Sequence, residues 1–414
     1  MATFANGKIE AYVGPQELGA ADNLEGVIID FIHGARSSLD IAVQELDSEP
    51  IAQAILDARW RGVSVNLFLE QDYLRSPLRG TPPKAPAPKA GETAETALLR
   101  VQWDEDETDL AANRRILAAL LRSDIEVKGD FNPKIFHQKF VLRDFQNGKA
   151  TSPGNPALLT GSANFTMTDT HKNLNHVFVF HNTRVCGQYE LEIEQLKLGR
   201  FGRQIHGDVP KVFDLAGVPT KVLFAPVHTP ELEIMKQMLK GANEVFFAIF
   251  TFAGSSGIDD TMLSLARGGM TITGVLDRGQ AAQGWAAPKT MSDPRISLYQ
   301  PTKASGVRKL HHKLMVIDER IVVAGSFNYT EPANDYNDEN IFVLGSVDPV
   351  SHGVTVAPQP VEELARHMKA EIQRIIAQLS EPYVPRSRVK VACWLSSASA
   401  STISADWAGA WTSA

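Results

Sequence analysis

Apolar positions along the chain alternate between two spacings, and the same order of spacings occurs twice. In the first half, residues 38–46 (SLDIAVQEL) predict a strand, and residues 51–71 predict a helix followed by a strand. In the second half, residues 231–242 predict a helix, 244–252 (EVFFAIFTF) a strand, and 258–278 another helix and strand. Gly62 and the pair Gly268-Gly269 stand where each of these helices must end. The pattern indicates a duplicated unit of about half the chain.

Alternating helices and strands predict an α/β protein made of two pseudo-symmetric α-β-α sandwich lobes. We expect the first lobe to span residues 1–212, the second 213–380, and an irregular tail 381–414. Residues 76–93 are rich in proline and alanine without periodicity, which predicts an inserted surface loop. A helix is predicted to follow that loop, from about Leu110 to Leu121.

Composition and charge limit the class of protein and its cellular location. The 414 residues are 43% hydrophobic and 21% charged, as in ordinary globular proteins, and the two cysteines are too far apart to suggest a disulfide framework or a zinc site. The N-terminus lacks a basic start followed by an apolar run, and the most apolar stretch, residues 245–253, is too short for a membrane span. We therefore expect a cytoplasmic protein without an integral membrane segment. The net charge of −7 provides no overall attraction for nucleic acid, although it leaves a local basic cleft open.

Two copies of a His-x-Lys-x4-Asp motif mark the candidate chemistry. The six residues of the two motifs are His137, Lys139 and Asp144, and His311, Lys313 and Asp318. Side chains alternate faces along a strand, so the histidine and the lysine of each motif emerge on the same face. The aspartate lies five positions beyond the lysine and need not face a substrate. A supporting role, in which it fixes loops or balances the lysine charge, is the alternative to a catalytic one.

Each motif is followed by Gly-Ser-x-Asn, which adds a hydroxyl and an amide. These residues are Ser162 and Asn164 in the first half and Ser326 and Asn328 in the second. Two ammoniums, two hydroxyls and two amides can hold the nonbridging oxygens of a phosphodiester without a metal or cofactor. One imidazole can attack phosphorus while the other protonates the leaving oxygen. A single His-x-Lys is usually a solvent-facing pair, but packing explains none of the polar residues shared by both copies.

Several other polar residues have ordinary interpretations. His312 points away from His311 by strand alternation, so we interpret it as non-catalytic, and His176 has no partner pattern. Asp277 ends a predicted strand, where it either lines the cleft or caps a turn.

The two motifs together resemble the signature of the phospholipase D superfamily, and the similarity extends over about residues 8–380. The segment from His311 to Asn340 is especially similar to the nuclease and mitochondrial-type members. The resemblance implies a phosphohistidine intermediate, no metal, and an active site at the interface of two lobes. A monomer is expected, because the duplication supplies both halves of the site.

In this family a glutamate binds the back of the catalytic histidine, and Glu339, eleven positions after Asn328, matches that position. Eleven positions after Asn164 the first half has Asn175 instead. A carboxylate behind an imidazole favours its charged form. The hypothesis from the sequence is that Glu339 lies behind His311, the general acid, while Asn175 orients His137, the nucleophile.

The substrate class is left open by the sequence. The family resemblance of Phe327-Asn328-Tyr329-Thr330 places nucleic acid slightly ahead of phospholipid as the diester that is hydrolysed. The cations Lys134, Lys303, Arg308 and Lys309 precede the two motifs and would form a basic rim. Two alternatives are a phosphatidyl transferase of the cardiolipin synthase type, which needs the same residues, and a non-catalytic binding or scaffold protein. The latter predicts loss of a motif residue, and both sets are intact.

Overall fold

The computed structural model describes residues 2–71, 110–152, 155–346 and 360–385. The chain up to Tyr383 forms one compact unit. The predicted loop 76–93 and nearly all of the predicted tail lie outside the described residues. Across those described ranges, the helices are too short or too polar to cross a bilayer.

Ten α-helices occur in the described residues, and most begin at a side chain that caps the first turn, such as Asn23, Ser48, Thr166 and Asn182. The helices are α1 (Leu24–His33), α2 (Glu49–Trp60), α3 (Leu110–Arg122), α4 (Met167–His171), α5 (Thr183–Lys197), α6 (Pro230–Lys240), α7 (Ile258–Arg267), α8 (Arg278–Ala281), α9 (Glu331–Asp335) and α10 (Val361–Leu379).

Twenty strands occur in the same residues. They are β1 (Ala2–Phe4), β2 (Ile9–Gly14), β3 (Ser38–Val43), β4 (Ser64–Leu69), β5 (Glu126–Gly129), β6 (Lys139–Arg143), β7 (Phe145–Gln146), β8 (Lys149–Ala150), β9 (Ala157–Gly161), β10 (Asn173–Phe180), β11 (Phe213–Leu215), β12 (Val218–Ala225), β13 (Glu244–Ile249), β14 (Thr271–Leu276), β15 (Ile296–Pro301), β16 (Lys309–Leu310), β17 (Lys313–Ile317), β18 (Ile321–Gly325), β19 (Glu339–Gly345) and β20 (Ser380–Pro382).

The strands form two large sheets with the same topology. The first sheet has the order β1-β2-β10-β9-β6-β3-β4-β5, and the second has the order β11-β12-β19-β18-β17-β13-β14-β15-β20. Seven strands therefore correspond in order, from β2 to β5 and from β12 to β15. The duplication predicted from the sequence is confirmed, as is the α/β class with two sandwich lobes.

A shared hydrophobic core lies between the two sheets. Phe342 of the second lobe contacts Phe178 and Phe180 of the first, with ring centroids 4.8 and 5.1 Å apart. Tyr189 of α5 packs edge-on against Phe224 of β12 at 5.1 Å. Outer cores bury the opposite face of each sheet against α1 and α2 in one lobe and α6 and α7 in the other. Burial of these aromatic side chains between the sheets stabilises the association of the two lobes.

Element boundaries agree with the sequence patterns where glycine ends a helix. Gly62 and Gly269 have φ of 90° and 112°, a conformation that side chains other than glycine rarely adopt. The helix expected at Leu110–Leu121 is α3. The predicted tail begins differently than expected, because Ser380–Pro382 forms β20 and pairs with β15.

Candidate active site

The two motif histidines lie at the same ends of corresponding strands and reach across to the other lobe. His137 and His311 precede β6 and β17 by two residues and are only 7% and 5% exposed. The backbone N–H of His137 donates to the carbonyl of Asp338, just before β19, and that of His311 donates to Leu174 of β10, both at 2.9 Å. Each histidine therefore lies beside the first residues of a strand in the opposite lobe.

In this lobe crossing, the strand end of each lobe lies beside the histidine of the other lobe, and it determines which residue lies behind each imidazole. Nδ1 of His137 is 2.7 Å from Oε2 of Glu339, and Nδ1 of His311 is 3.1 Å from Oδ1 of Asn175. The serine of each Gly-Ser-x-Asn holds the same atom: Ser326 donates to Glu339 at 2.6 Å, and Ser162 donates to Asn175 at 2.7 Å.

The sequence-based hypothesis that Glu339 lies behind His311, with Asn175 behind His137, is therefore wrong. The pairing was assumed to stay within each half of the chain, whereas parallel strand contacts join the halves. Leu310 pairs with Leu174, and Phe136 pairs with Asp338. In a parallel pair the following residues also stand side by side, so His311 meets Asn175 and His137 meets Glu339.

The glycine of each Gly-Ser-x-Asn permits this close arrangement. A Cβ at Gly161 would collide with the carbonyl oxygen of His176, and one at Gly325 with that of Asn340. Without a side chain, β9 and β18 approach their neighbours closely enough for the next residue, a serine, to reach the group behind the imidazole. Glycine is the residue that such an approach of two backbones requires.

Two buried lysines accompany the histidines. Nζ of Lys139 donates to the carbonyl of His137 at 2.9 Å and to Gln44 at 3.2 Å, and Nζ of Lys313 donates to the carbonyl of His311 at 2.8 Å. Burial lowers the pKa of Lys139 to about 8 and places the pKa of Lys313 well below its ordinary value. Two ammoniums with few protein oxygens around them suit an anionic ligand, whose charge would restore their protonation.

Burial also sets the protonation of the imidazoles and of Glu339. Burial first, and then the charges of Lys139 and Lys313, hold the pKa of both His137 and His311 well below the usual range. Burial raises the pKa of Glu339 to about 8, against the opposing effect of Lys139. The free site thus favours neutral imidazoles, and Nε2 of each ring is the nitrogen not engaged by the opposite lobe.

The asparagines of Gly-Ser-x-Asn have different surroundings. Asn328 accepts a hydrogen bond from the Thr251 backbone N–H at 3.2 Å. Within the described ranges, no donor reaches the buried Oδ1 of Asn164. Its backbone N–H donates to the carboxylate of Asp169 at 2.7 Å.

The structure places the motif aspartates at the far ends of the strands, roughly 20 Å from the imidazoles by strand rise. Asp144 accepts from the backbone N–H groups of Arg36, Ser37 and Ser38 at 2.7–3.1 Å. Asp318 accepts from those of residues 242–244 at 2.7–2.9 Å. Both fix the turn that leads into β3 or β13. Of the two interpretations, the catalytic one is therefore wrong and loop support is right.

Two further carboxylates lie beside the motifs. Asp277 caps α8 by accepting from Gly279 and Gln280, and its other oxygen accepts from the Leu310 backbone N–H at 3.0 Å. Asp169 of α4 is 5% exposed and places Oδ2 3.4 Å from Nδ1 of His311. Asp169 was not singled out in the sequence, because no motif marks it and only the lobe crossing brings it to His311.

Comparisons with known proteins place this arrangement in a family. Residues 28–197 and 234–372 match the family model described as cardiolipin synthase, PLD-like domain. Because the match covers well over half of the chain, the chain belongs to this family and so to the phospholipase D superfamily, whose members cleave or transfer phosphodiesters.

A curated relative and two solved structures extend the comparison. The chain is 31% identical over 119 residues to the mitochondrial cardiolipin hydrolase of Chlamydomonas reinhardtii, which is 28% of this chain and 52% of that protein. It thus spans about half the length of this relative. Phosphatidylserine synthase of Haemophilus influenzae superposes with a TM-score of 0.57 at 10% identity, over 92% of this chain and 88% of that one. Polyphosphate kinase of Porphyromonas gingivalis gives 0.57 at 12% identity, over 92% and 50%. These two show a common fold.

Proposed function

We propose that the chain hydrolyses a phosphodiester in two steps, with His137 as nucleophile and His311 as general acid and then general base. The observation that carries the proposal is a pair of buried imidazoles, each held at Nδ1 from the opposite lobe. They interact electrostatically with each other and with the two motif lysines. Nε2 of each ring is left to face the phosphorus and the leaving oxygen.

In the first step, the lone pair on Nε2 of His137 forms a bond to phosphorus while the bond from phosphorus to the leaving oxygen breaks. His311 gives its Nε2 proton to that oxygen, and an alcohol leaves. Lys139 and Lys313 hold the nonbridging oxygens, on which negative charge is concentrated. The anionic substrate favours protonated His311, although burial lowers the pKa of this residue in the free site.

In the second step, water attacks phosphorus and the bond to Nε2 of His137 breaks. His311, now neutral, takes the proton of the water, which returns both residues to their starting forms and releases a phosphate monoester. An alcohol in place of water would give a transferase by the same route.

The assignment of roles rests on Glu339. Phosphorylation of Nε2 leaves the His137 ring with a positive charge that cannot depart as a proton from that nitrogen. The Glu339 carboxyl at 2.7 Å stabilises this cation most directly. His311 has no carboxylate that close: Asn175 holds its Nδ1 at 3.1 Å, and the Asp169 carboxylate is 3.4 Å away. His311 therefore gives up its proton more readily, as a general acid must. His137 is thus the proposed nucleophile, as in the hypothesis from the sequence, but with Glu339 behind it in place of Asn175.

A basic cavity beside His311 indicates the kind of leaving group. A cavity of about 470 Å³ lies next to Phe250, whose ring centroid is 4.9 Å from that of His311. The cations that line it are Arg278, Lys303, Arg308 and Lys309. Among the described residues that line it, Asp277 is the one carboxylate, and it accepts hydrogen bonds from backbone N–H groups. Because His311 protonates the leaving oxygen, the leaving alcohol would enter a positively charged space. A second phosphate suits that space, whereas a cationic choline does not.

Exposed apolar side chains occur at the same edge of the sheets. Phe131 and Ile135 lie between the end of β5 and the start of β6, Met167 follows β9, and Trp285 follows β14; they are 43–74% exposed. The pairing of Val43 with Lys139 and of Ile249 with Lys313 places these strand ends at the edge that carries the histidines. Apolar side chains beside cations suit the interface of an anionic lipid bilayer.

These features favour a diester lipid whose leaving group carries a second phosphate, as in cardiolipin. Similarity to a protein named as a cardiolipin hydrolase supports hydrolysis of that lipid. The second candidate, a nuclease, also has a leaving group with further phosphates and is favoured by the same cavity.

The test is a set of parallel assays in EDTA with cardiolipin vesicles, phosphatidylcholine vesicles, single-stranded DNA and RNA, using wild type, His137→Ala and His311→Ala. We expect cardiolipin to yield phosphatidate and phosphatidylglycerol, and phosphatidylcholine to be cleaved at least tenfold more slowly. Lys309→Glu should lose most of the cardiolipin activity, whereas the matched reversal Lys240→Glu, at the exposed C-terminal end of α6, should lose none. Added primary alcohol should divert only a minor part of the product.

Equal cleavage of both lipids, or nucleic acid as the only substrate, would overturn the lipid assignment. Predominant alcohol capture would overturn hydrolysis. Loss of activity on every substrate in EDTA would overturn the mechanism.

A further inference from the structure

The two lobes carry their carboxylates at different positions after Gly-Ser-x-Asn. Five and eleven positions beyond the asparagine, the first lobe has Asp169 and Asn175, and the second has Ala333 and Glu339. Both lobes thus provide one carboxylate near the start of β10 or β19, but from α4 in one and from the strand in the other.

Asp169 is held in place by groups of its own lobe. One oxygen, Oδ2, accepts from the Asn164 backbone N–H at 2.7 Å, and the other accepts from the side chain of Asn173. Thr166 caps α4 by accepting from the Asp169 backbone N–H at 3.0 Å. The Oδ2 that is held in this way lies 3.4 Å from Nδ1 of His311.

The amide of Asn175 orients His311 but carries no net charge. Its side-chain N–H donates to the Asp169 carbonyl at 2.9 Å, which turns its oxygen toward Nδ1. After burial, the largest electrostatic effects on His311 come from Lys313, Lys139, His137 and Lys309, and each of them disfavours a proton on it. Asp169 also favours the charged forms of His137 and of both motif lysines. A general acid among four such groups requires a compensating negative charge.

We propose that Asp169 is a positioning residue that supplies to His311 the carboxylate which Glu339 supplies to His137. The proposal rests on the proposed function, in which His311 donates the proton to the leaving oxygen. It also explains how both imidazoles have a carboxylate nearby, although the matching strand positions carry a carboxylate only at Glu339. Charge at Oδ2 favours the imidazolium over the neutral ring before the leaving oxygen departs.

The test compares two leaving groups in Asp169→Asn. An alkyl diester needs protonation of its leaving oxygen, whereas a p-nitrophenyl diester does not. We expect kcat for the alkyl diester to fall about 10- to 100-fold, in line with loss of general acid assistance, and kcat for the p-nitrophenyl diester to fall less than about twofold. Thr166→Ala removes a hydrogen bond from the Asp169 backbone but leaves its carboxylate in place, so it should separate the two substrates by much less than Asp169→Asn does.

A rescue variant copies the arrangement of the second lobe. Asp169→Ala with Asn175→Glu places the carboxylate on the strand, as Ala333 and Glu339 have it. We expect it to regain alkyl diester cleavage by at least tenfold over Asp169→Asn. If Asp169→Asn does not fold, Asp169→Ser, which keeps an oxygen acceptor without charge, is compared with the two substrates in the same way.

Equal loss on both substrates, or no rescue in a folded double variant, would overturn the role of Asp169. These outcomes differ from failure of the proposed function, in which wild type itself cleaves neither diester.

Discussion

Glu339 of the second lobe and His137 of the first are joined by a hydrogen bond of 2.7 Å, so the two halves of the chain complete each other's imidazoles. Ser326 holds the same carboxylate oxygen at 2.6 Å. The site therefore forms only at the interface of the two lobes, because the side chain behind each motif imidazole comes from the other lobe.

Glu339→Gln should slow formation of the phosphoenzyme on a p-nitrophenyl diester by about 10- to 100-fold. The positive charge of the phosphorylated ring favours the ionised form of Glu339, and glutamine cannot supply that charge. Burst kinetics measure this step directly. Asn337→Ala is the matched control and should retain the burst, because it removes two long contacts, one to the same carboxyl at 3.5 Å and one from the Ile135 backbone N–H at 3.4 Å. An unchanged burst rate in Glu339→Gln would contradict the role given to the carboxylate.

The activity should fall on the alkaline side with an apparent pKa near that of Lys139. Burial lowers the pKa of Lys139 to about 8, and only its protonated form attracts a phosphate oxygen. As pH rises through 8 the ammonium is lost, so kcat/KM, which reports the free enzyme, should decline. Lys139→Arg keeps its charge and should move this decline to higher pH. A decline at the same pH in Lys139→Arg would show that another group is responsible.

Asp318→Asn should destabilise the fold without impairing the chemistry. In the wild type, one carboxylate oxygen of Asp318 accepts a hydrogen bond from the Ala242 backbone N–H at 2.7 Å. Asparagine keeps one acceptor oxygen but places an NH₂ group against that N–H, so two donors face each other. We expect a loss of about 2 kcal/mol in the free energy of unfolding, measured in urea, with kcat unchanged at a temperature where the variant is folded. A hundredfold fall in kcat at unchanged stability would restore a catalytic role to this aspartate.

A buried histidine pair should make the lobe interface sensitive to acid. His176 and His312 stack with Nδ1 atoms 3.1 Å apart, and burial lowers the pKa of His176 to about 3 and the pKa of His312 well below its ordinary value. Below about pH 6.5 the unfolded chain gains protons that the folded chain refuses, so stability falls as pH falls toward 3, by about 1.4 kcal/mol per pH unit for each histidine.

The symmetric position supplies the control for this pair. Asn340 donates to Gln138 at 2.7 Å, where the other half of the interface has His176 and His312. His176→Asn with His312→Gln should therefore keep the contact and flatten the fall of unfolding free energy between pH 6 and 4. The same slope in the double variant would contradict the assignment.

Much of the fold could be predicted from the sequence, because the same pattern of strands and helices occurs in both halves of the chain. The repeated strand and helix patterns predicted the two matching sheets, and Gly62 and Gly269 predicted where helices end. Electrostatic interactions among the motif histidines and lysines agree with the convergence expected from strand alternation. Oligomeric state, localisation and the exact domain boundaries stay predictions.

The crossing of the lobes was not accessible in the same way. Positions 175 and 339 were recognised as the groups behind the imidazoles, but spacing along one half says nothing of which half a side chain faces. The contacts of Leu310 with Leu174 and of Phe136 with Asp338 decide that question, and they join residues 136 and 202 positions apart. Asp169 was missed for the same reason, since its partner lies in the other lobe.

The most direct test of the central claim is to trap the covalent intermediate. Wild type, His311→Ala and His137→Ala are mixed with a p-nitrophenyl diester, quenched in base within milliseconds to seconds, and examined by intact mass and peptide mapping. The account predicts a phosphoryl adduct on His137 that accumulates in His311→Ala. The p-nitrophenyl group leaves without an acid, so the adduct still forms in this variant, whereas the attack of water on it is slowed. No adduct is expected in His137→Ala. An adduct on His311 in the His137→Ala protein, or turnover without any adduct on His137, would contradict it.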